Sequence, residues 1–269
     1  MTPASFAYER AGSVEEAIEL LGRDEDAKLL AGGHSLIPAM KLRIARPTLL
    51  VDIGRLDDLR YTREDGDRIA IGALTRHSAL AGDSVLAQHC ALVAHAAEGI
   101  GDPQVRHRGT IGGSVAHGDP ASDFCAILLT LDADLVARGP DGERTFHAAE
   151  FFSGPFHTAL GQREVLTEIR VPKVDRGVYL KHVRRSQDWA TVGVVAAEVD
   201  GGVHVGLTSM GGTPLRARAV ERSLAGGASP ADAAAHAADE AEPPSDASGS
   251  SEYRAHLAQV LVRRALEQL

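Results

Sequence analysis

Cysteine is nearly absent: Cys90 and Cys125 are the only two in 269 residues. Two thiols are too few for a disulfide framework. They are also too few for an iron–sulfur cluster, which takes four protein ligands, so any such cluster would have to sit on a partner chain. Read by themselves, they are reduced core thiols of a cytoplasmic protein. Aromatic residues make up only 4% of the chain, which removes the stacking platform that single-strand nucleic-acid binders use. Cations are short too: 28 Lys and Arg against 37 Asp and Glu leave a net charge of −9. Duplex binding needs clustered cations, so nucleic acid is not an expected partner, and an anionic membrane surface is disfavoured for the same reason. No apolar run approaches the roughly 20 residues of a membrane-spanning helix. The opening residues Met1 to Phe6 lack a basic stretch followed by an apolar run, so no secretory leader is expected. What remains is ordinary for a globular protein, with 44% hydrophobic and 24% charged residues. The length allows one large domain or two to three small ones.

Strand and helix signals alternate irregularly and then segregate, which predicts an α+β fold. Ser13 and Glu16 form a capping box before the helical period of Val14, Ala17, Ile18 and Leu21. Short buried strands are expected over 28–31 and 48–53, with a short helix or extended turn over 36–42. A strand over 68–72 is followed by a helix that Thr75 would cap. An Ala- and Leu-rich helix is expected over 84–99, then a loop over 102–109. Ser122 or Asp123 caps an apolar helix running to 131, and 135–137 and 165–171 read as strands. Residues 179–184, 192–199 and 203–208 read as an antiparallel meander with Gly201-Gly202 at one turn. Helices over 216–225, 230–240 and 252–267 close the chain, with a mobile loop over 242–250. Three modules follow: 1–54, 55–172 and 173–269.

Two segments carry the chemistry. Ala31-Gly32-Gly33-His34-Ser35 and Thr110-Ile111-Gly112-Gly113-Ser114 each join a short apolar stretch to paired glycines and then a hydroxyl. Paired glycines permit φ > 0 and close approach of a ligand to the main chain. Successive N–H groups in such a turn form a concave nest for phosphate oxygens. On this reading both segments are loops that grip a pyrophosphate from two sides; the plain alternative is a pair of ordinary turns. Neither has the Gly-Lys-Ser/Thr ending of a P-loop, nor the Gly-x-Gly-x-x-Gly of a dinucleotide fingerprint. A dinucleotide held outside those folds points to a flavin. The histidines His34, His77, His107 and His117 are dispersed and show no metal-ligand spacing. No Gly-x-Ser-x-Gly elbow supports a serine nucleophile. Asp119 reads as a turn residue and Asp123 as a helix cap, and either carboxylate would suit a ribose hydroxyl. Arg106 and Arg108 are phosphate or partner contacts, or solvated loop charges. Trp189, the only tryptophan, suits stacking on a flat ring or a core or interface position.

At these two segments the chain resembles the FAD-binding subunits of molybdenum hydroxylases. Residues 31–36, with Met40-Lys41-Leu42-Arg43 behind them, match the first flavin signature of that family. Residues 100–106 leading into 109–114 match the second. In pattern the chain is most similar to the medium subunits of carbon monoxide dehydrogenases, over essentially its whole length. The resemblance implies a vanillyl-alcohol-oxidase (PCMH)-type FAD-binding domain of two subdomains, plus a C-terminal α+β domain of the CO dehydrogenase flavoprotein type. It places the FAD pyrophosphate between Ala31, Gly32, Gly33, His34, Ser35 and Leu36 on one side and Thr110, Ile111, Gly112, Gly113 and Ser114 on the other. It puts Asp123 at the adenosine part and Ile100, Leu166 and Lys181 at the flavin. It implies no catalytic side chain and no metal on this chain. The implied partners are a small subunit with two [2Fe–2S] clusters and a large molybdopterin subunit, assembled as a dimer of heterotrimers. The chain would pass electrons from those clusters through FAD to an external acceptor. Two departures stand out: His107 occupies a usual Asn position, and Gly118 a common Ala position. The alternatives are a self-standing flavoenzyme, with His107, His117 or Tyr179 as its base, and a flavin-free binding module.

Overall fold

The computed structural model describes all 269 residues. The first sheet is parallel. It comprises β1 (Ala7–Arg10), β2 (Lys28–Leu30) and β3 (Leu49–Asp52), ordered β1-β3-β2. Parallel neighbours need crossovers; these are α1 (Val14–Leu21) and α2 (Leu36–Lys41). Half of the expected capping box forms, with Ser13 Oγ accepting the Glu16 N–H at 3.1 Å; Glu16 Oε2 reaches one residue beyond the cap and accepts the Gly12 N–H at 2.7 Å. Val14, Ala17, Ile18, Leu20 and Leu21 of α1 are buried against Val51 and Ile53.

A five-stranded antiparallel sheet follows: β4 (Thr62–Asp65), β5 (Arg68–Gly72), β6 (Asp134–Gly139), β7 (Gly142–His147) and, later in the chain, a long central strand at Val165–Pro172. Six helices lie between β5 and β6: α3 (His77–Ala81), α4 (Ser84–His89), α5 (Ala91–Glu98), α6 (Pro103–Arg106), α7 (Ile111–His117) and α8 (Asp123–Thr130). After β7 come α9 (Ala148–Phe151) and a small hairpin, β8 (Phe152–Gly154) with β9 (His157–Thr158). The central strand is therefore β10, and the sheet order is β4-β5-β10-β6-β7. Its core holds 32 buried residues, including Ile71, Ile111, Phe124, Leu166 and Ile169. Each fully buried aliphatic or aromatic side chain there contributes about 1.5–3 kcal/mol.

The third sheet is antiparallel: β11 (Gly177–His182), β12 (Val192–Val199), β13 (Gly202–Thr208) and β14 (Leu215–Arg216). One face carries α10 (Arg218–Ala225), α11 (Pro230–Ala234) and α12 (Ser251–Gln268). Strand β12 is buried on both faces. Val192, Val194 and Ala196 face the helices, whereas Val195, Ala197 and Val199 join the 32-residue core. The period-two alternation sorts them.

Several expectations need correction. The helix over 84–99 is two helices, because Cys90 at φ −160° breaks α4 from α5. The 102–109 loop contains α6, capped by Asp102 Oδ1 on the Val105 N–H at 2.8 Å. Residues 110–114 are not a loop: Thr110 caps α7, and the glycine pair lies in its first turn. Thr75 caps nothing; its hydroxyl bonds both the N–H and the carbonyl of Tyr61, at 3.1 and 3.0 Å. Asp123 is likewise no side-chain cap of α8. Residues 215–216 are strand, α10 starts at 218, and α11 stops at Ala234. Residues 242–250 are tied down: Asp246 bridges to Gly249 and accepts from Arg254 at 2.7 Å. Trp189 is 60% exposed and not in the core.

Candidate functional site

The strand–loop–helix β2–α2 and the turn before α7 bring the two glycine pairs together. The tight contact is between Gly32 and the backbone of Arg108 and Gly109, just ahead of the second pair. A Cβ on Gly32 would lie 2.3 Å from the Arg108 carbonyl oxygen and 2.9 Å from Gly109 Cα, so only glycine fits. Gly33 has φ +77°, the left-handed region that glycine occupies without cost. A Cβ on Gly113 would lie 3.9 Å from that of Ala31. Ala31, Gly32, Gly33 and Ser35 are half-buried and His34 is exposed.

The two segments supply different donors. The N–H groups of Gly32, Gly33, His34 and Ser35 donate to no carbonyl of the chain, and Ser35 makes no side-chain cap to α2. Four consecutive free donors at a turn containing a left-handed glycine form an anion nest. The amides of the second segment are already engaged. Ile111 donates to the Thr75 carbonyl at 3.1 Å and Gly112 to that of Ala73 at 2.9 Å. Gly113 donates to Thr110 Oγ1 at 3.1 Å, and Ser114 to the Thr110 carbonyl at 3.1 Å. That side offers a close-packed backbone wall and the half-buried Ser114 hydroxyl. The unmet donors fit a diphosphate lying across the first segment.

Beneath the contact sits His77, 2% exposed, a residue to which sequence reasoning gave no role. Its Nε2 lies 3.4 Å from Ser114 Oγ, its Nδ1 has no partner, and a Cβ on Gly109 would strike its ring at 2.7 Å. Burial drives its pKa down to about 4, helped by His34 and Arg106, so the ring is neutral at pH 7. The local string Thr75-Arg76-His77-Ser78 carries no sign of this burial.

Asp123, Tyr179 and Lys181 form a second buried group. At the start of α8, Asp123 is 4% exposed. It accepts from Tyr179 Oη at 2.5 Å and from Lys181 Nζ at 2.8 Å, both on β11. Burial raises the Asp123 carboxyl, opposed by Lys181, and burial beside that carboxyl raises the Tyr179 phenol further still. Lys181 Nζ also reaches the Gly99 carbonyl at 3.5 Å, next to half-buried Ile100. Arg106 is a brace: its Nη1 donates to the carbonyls of Ile100 and Gly101 at 3.0 and 2.9 Å. Leu166 is buried on β10 in the core that α7 packs against. The His107 ring is exposed, and its carbonyl accepts from Arg76 at 2.7 Å. His117 stacks on Phe156 with ring centroids 5.1 Å apart.

Residues 4–174 match the FAD-binding domain in molybdopterin dehydrogenases, and residues 178–269 match the C-terminal domain of CO dehydrogenase flavoproteins. The chain belongs to this family. Over 279 residues it is 42% identical to the carbon monoxide dehydrogenase medium chain of Hydrogenophaga pseudoflava, covering 99% of this chain and 97% of that protein. It is 37% identical to the glyceraldehyde dehydrogenase medium chain of Sulfolobus acidocaldarius, with both chains fully covered. The solved structure of the Hydrogenophaga carbon monoxide dehydrogenase lacking the Mo-pyranopterin moiety superposes with a TM-score of 0.96, covering 100% of this chain and 98% of that one. Quinoline 2-oxidoreductase from Pseudomonas putida superposes with a TM-score of 0.94 at 27% identity, covering 99% and 97%. As a member of this molybdopterin dehydrogenase family, the chain binds FAD and is a flavoprotein oxidoreductase subunit. It is the medium, FAD-bearing subunit of the CO dehydrogenase and xanthine dehydrogenase type, a role that implies small and large partner subunits. None of its helices is long and apolar enough to cross a membrane.

Proposed function

We propose that this chain is the electron-transfer subunit of a cytoplasmic, heterotrimeric molybdenum hydroxylase. When bound, FAD supplies the redox centre that takes electrons from the [2Fe–2S] clusters of a small partner and hands them to an external acceptor. A large molybdopterin subunit carries the hydroxylation, and the assembly is a dimer of heterotrimers. The observation that carries this reading is the run of free N–H donors over Gly32–Ser35 packed against Arg108 and Gly109. Backbone donors hold an anion without adding a titratable group, so the grip is independent of pH.

The residues take these parts. Ala31 to Leu36 hold the pyrophosphate through main-chain amides. Thr110, Ile111, Gly112 and Gly113 form the opposing wall, and Ser114 adds a hydroxyl that His77 orients. Ile100, Leu166 and Lys181 border the flavin, and Asp123 the adenosine part. Asp123 is held by Tyr179 and Lys181, so its contribution to the site is made through a fixed, fully bonded carboxylate. The chain is organised as modules 1–54, 55–172 and 173–269, each centred on one of the three large sheets.

The test is purification of the tagged chain from its native host, with molybdenum, iron and FAD quantified in one sample. Stoichiometric molybdenum and about four irons per flavin, the content of two [2Fe–2S] clusters, are expected. A stable flavin-loaded chain that oxidises a small metabolite without iron or molybdenum would overturn the reading in favour of a self-standing flavoenzyme.

A further inference from the structure

Strand β10 breaks its own alternation once. Val171 and Ile169 face the 32-residue core, whereas Arg170 and Glu168 face the α1 side, in a cleft with Val136 and Arg138. Strict period two would turn Thr167 into the core and Leu166 away from it. The reverse is found: Thr167 shares the cleft with Glu168, and Leu166 lies in the core. Pairing with β6 slips at this point. Glu168 pairs with Val136 and Leu166 with the next residue, Ala137, which leaves Thr167 as an extra residue without a partner of its own. This is a β-bulge, a device that redirects side chains next to functional sites. Beyond it Val165 joins Val14 and Leu59 in the 14-residue cluster that includes α1.

The extra residue is tied on both sides. Thr167 is buried, and its Oγ1 donates to the Val136 carbonyl of β6 at 3.1 Å. Its own carbonyl accepts the Ala73 N–H at 2.9 Å, just past the end of β5. The Ala73 carbonyl in turn accepts the Gly112 N–H at 2.9 Å, and a Cβ on Gly112 would lie 2.5 Å from that of Ala73. Thr167 is thus the peptide neighbour of Leu166 and two hydrogen bonds away from Gly112. We propose that Thr167 is a positioning residue for the cofactor: its bulge sets the Leu166 side chain and the Gly112 wall as one unit, and its hydroxyl locks the bulge onto β6. On the flavin reading above, Leu166 borders the ring and Gly112 walls the diphosphate. The role of Thr167 rests on that reading and extends it to a residue on the opposite face of the sheet, which acts only through those two. Without the hydroxyl the extra residue is held by its carbonyl alone, and Leu166 and Ala73 move with it.

The experiment compares Thr167→Val, Thr167→Ala and Thr167→Ser with wild type in the full chain as purified with its flavin. Release of FAD on dilution, read by its fluorescence, gives Kd, and the visible absorption band reports the surroundings of the ring. Circular dichroism first establishes that each variant is folded. Thr167→Val keeps the branched shape and loses the hydroxyl. It should bind FAD about fivefold more weakly, the loss of one hydrogen bond, with a shifted band. Thr167→Ala loses the same hydroxyl and should do the same, so the comparison holds if the valine variant fails to fold. Thr167→Ser keeps the hydroxyl and should restore both wild-type readings. A residue that served stability alone would lower the unfolding midpoint of the Val and Ala variants and leave Kd and band of the folded chain as in wild type; that result overturns the proposal. So does a weakened Kd with an unchanged band, which would separate Leu166 from Gly112, or a serine variant as weak as the valine one. In each of these cases wild type still binds FAD and the flavin reading stands. A wild-type chain that holds no FAD would sink that reading and this role together.

Discussion

His77 packs against the second glycine segment, beneath its contact with Gly32. It is buried under Gly109 and beside Ser114, and desolvation holds its pKa at about 4, against an ordinary value of 6.5. The depressed value means that the unfolded chain binds the proton more readily. His77 therefore contributes stability that is fully present above pH 6.5 and lost as pH falls towards 4. His77→Gln should remove about 2–3 kcal/mol of the stability change between pH 7 and 4.5, measured by urea unfolding at both values. An unaltered pH slope in the variant would show that the ring is hydrated. Gly32→Ala forces a methyl to 2.3 Å from the Arg108 carbonyl oxygen. The segments must part, at a cost of about 1–3 kcal/mol, and flavin per chain, read by absorbance, should fall well below the wild-type ratio. At the other end, Lys181→Met leaves the buried Asp123 carboxylate without its cation. That change should cost about 3–5 kcal/mol, and Asp123→Asn in the same chain should recover part of it.

At the scale of elements, the glycine pairs look alike in sequence and behave differently. The first ends β2 and leaves its amides free; the second is wound into the first turn of α7, where its amides are taken up. Part of the difference is local, since Thr110 caps the second string where the first has Ala31; the rest is not, because the acceptors of Ile111 and Gly112, Thr75 and Ala73, come from a different part of the chain. Edge strands were equally hard to read. Strands β1, β4 and β7 are largely exposed and polar, so they lack the apolar alternation that marked β5, β10 and β12. The segment 242–250 has the composition of a mobile loop but is fastened by Arg254, which is 2% exposed and bonds both Asp246 and the Thr191 carbonyl. Asp246→Ala should leave that guanidinium short of an acceptor, at a cost of about 1–3 kcal/mol. Limited proteolysis is then expected to cut within 242–250 in the variant and not in wild type.

At the scale of the molecule, three sheets share their cores through a few two-faced elements. Strand β12 belongs to two clusters. Arg216, on β14, reaches Asp132, just after α8, at 3.0 Å. Cys90 and Cys125 lie inside this frame, wholly buried, with both thiols pushed up to about 12 by desolvation. Thiolate is the reactive form, so at pH 8 neither should react with a chromogenic disulfide in the native protein, and both should react after unfolding. Rapid reaction of either in the native state would show that the core opens locally.

The sequence by itself determined a good deal. Apolar periodicity marked the buried strands and the amphipathic α1, because burial imposes a period that composition must obey. The two glycine signatures pointed to the family and to the segments proposed to hold the cofactor, and at Gly32 the close backbone approach tolerates no other residue. Only the tertiary structure decided which amides remain free, that Asp123 is locked by Tyr179 and Lys181, and that His77 lies under the site. Those facts depend on contacts between residues tens of positions apart, and a hydrogen-bond partner brought in from elsewhere leaves no mark in the local string.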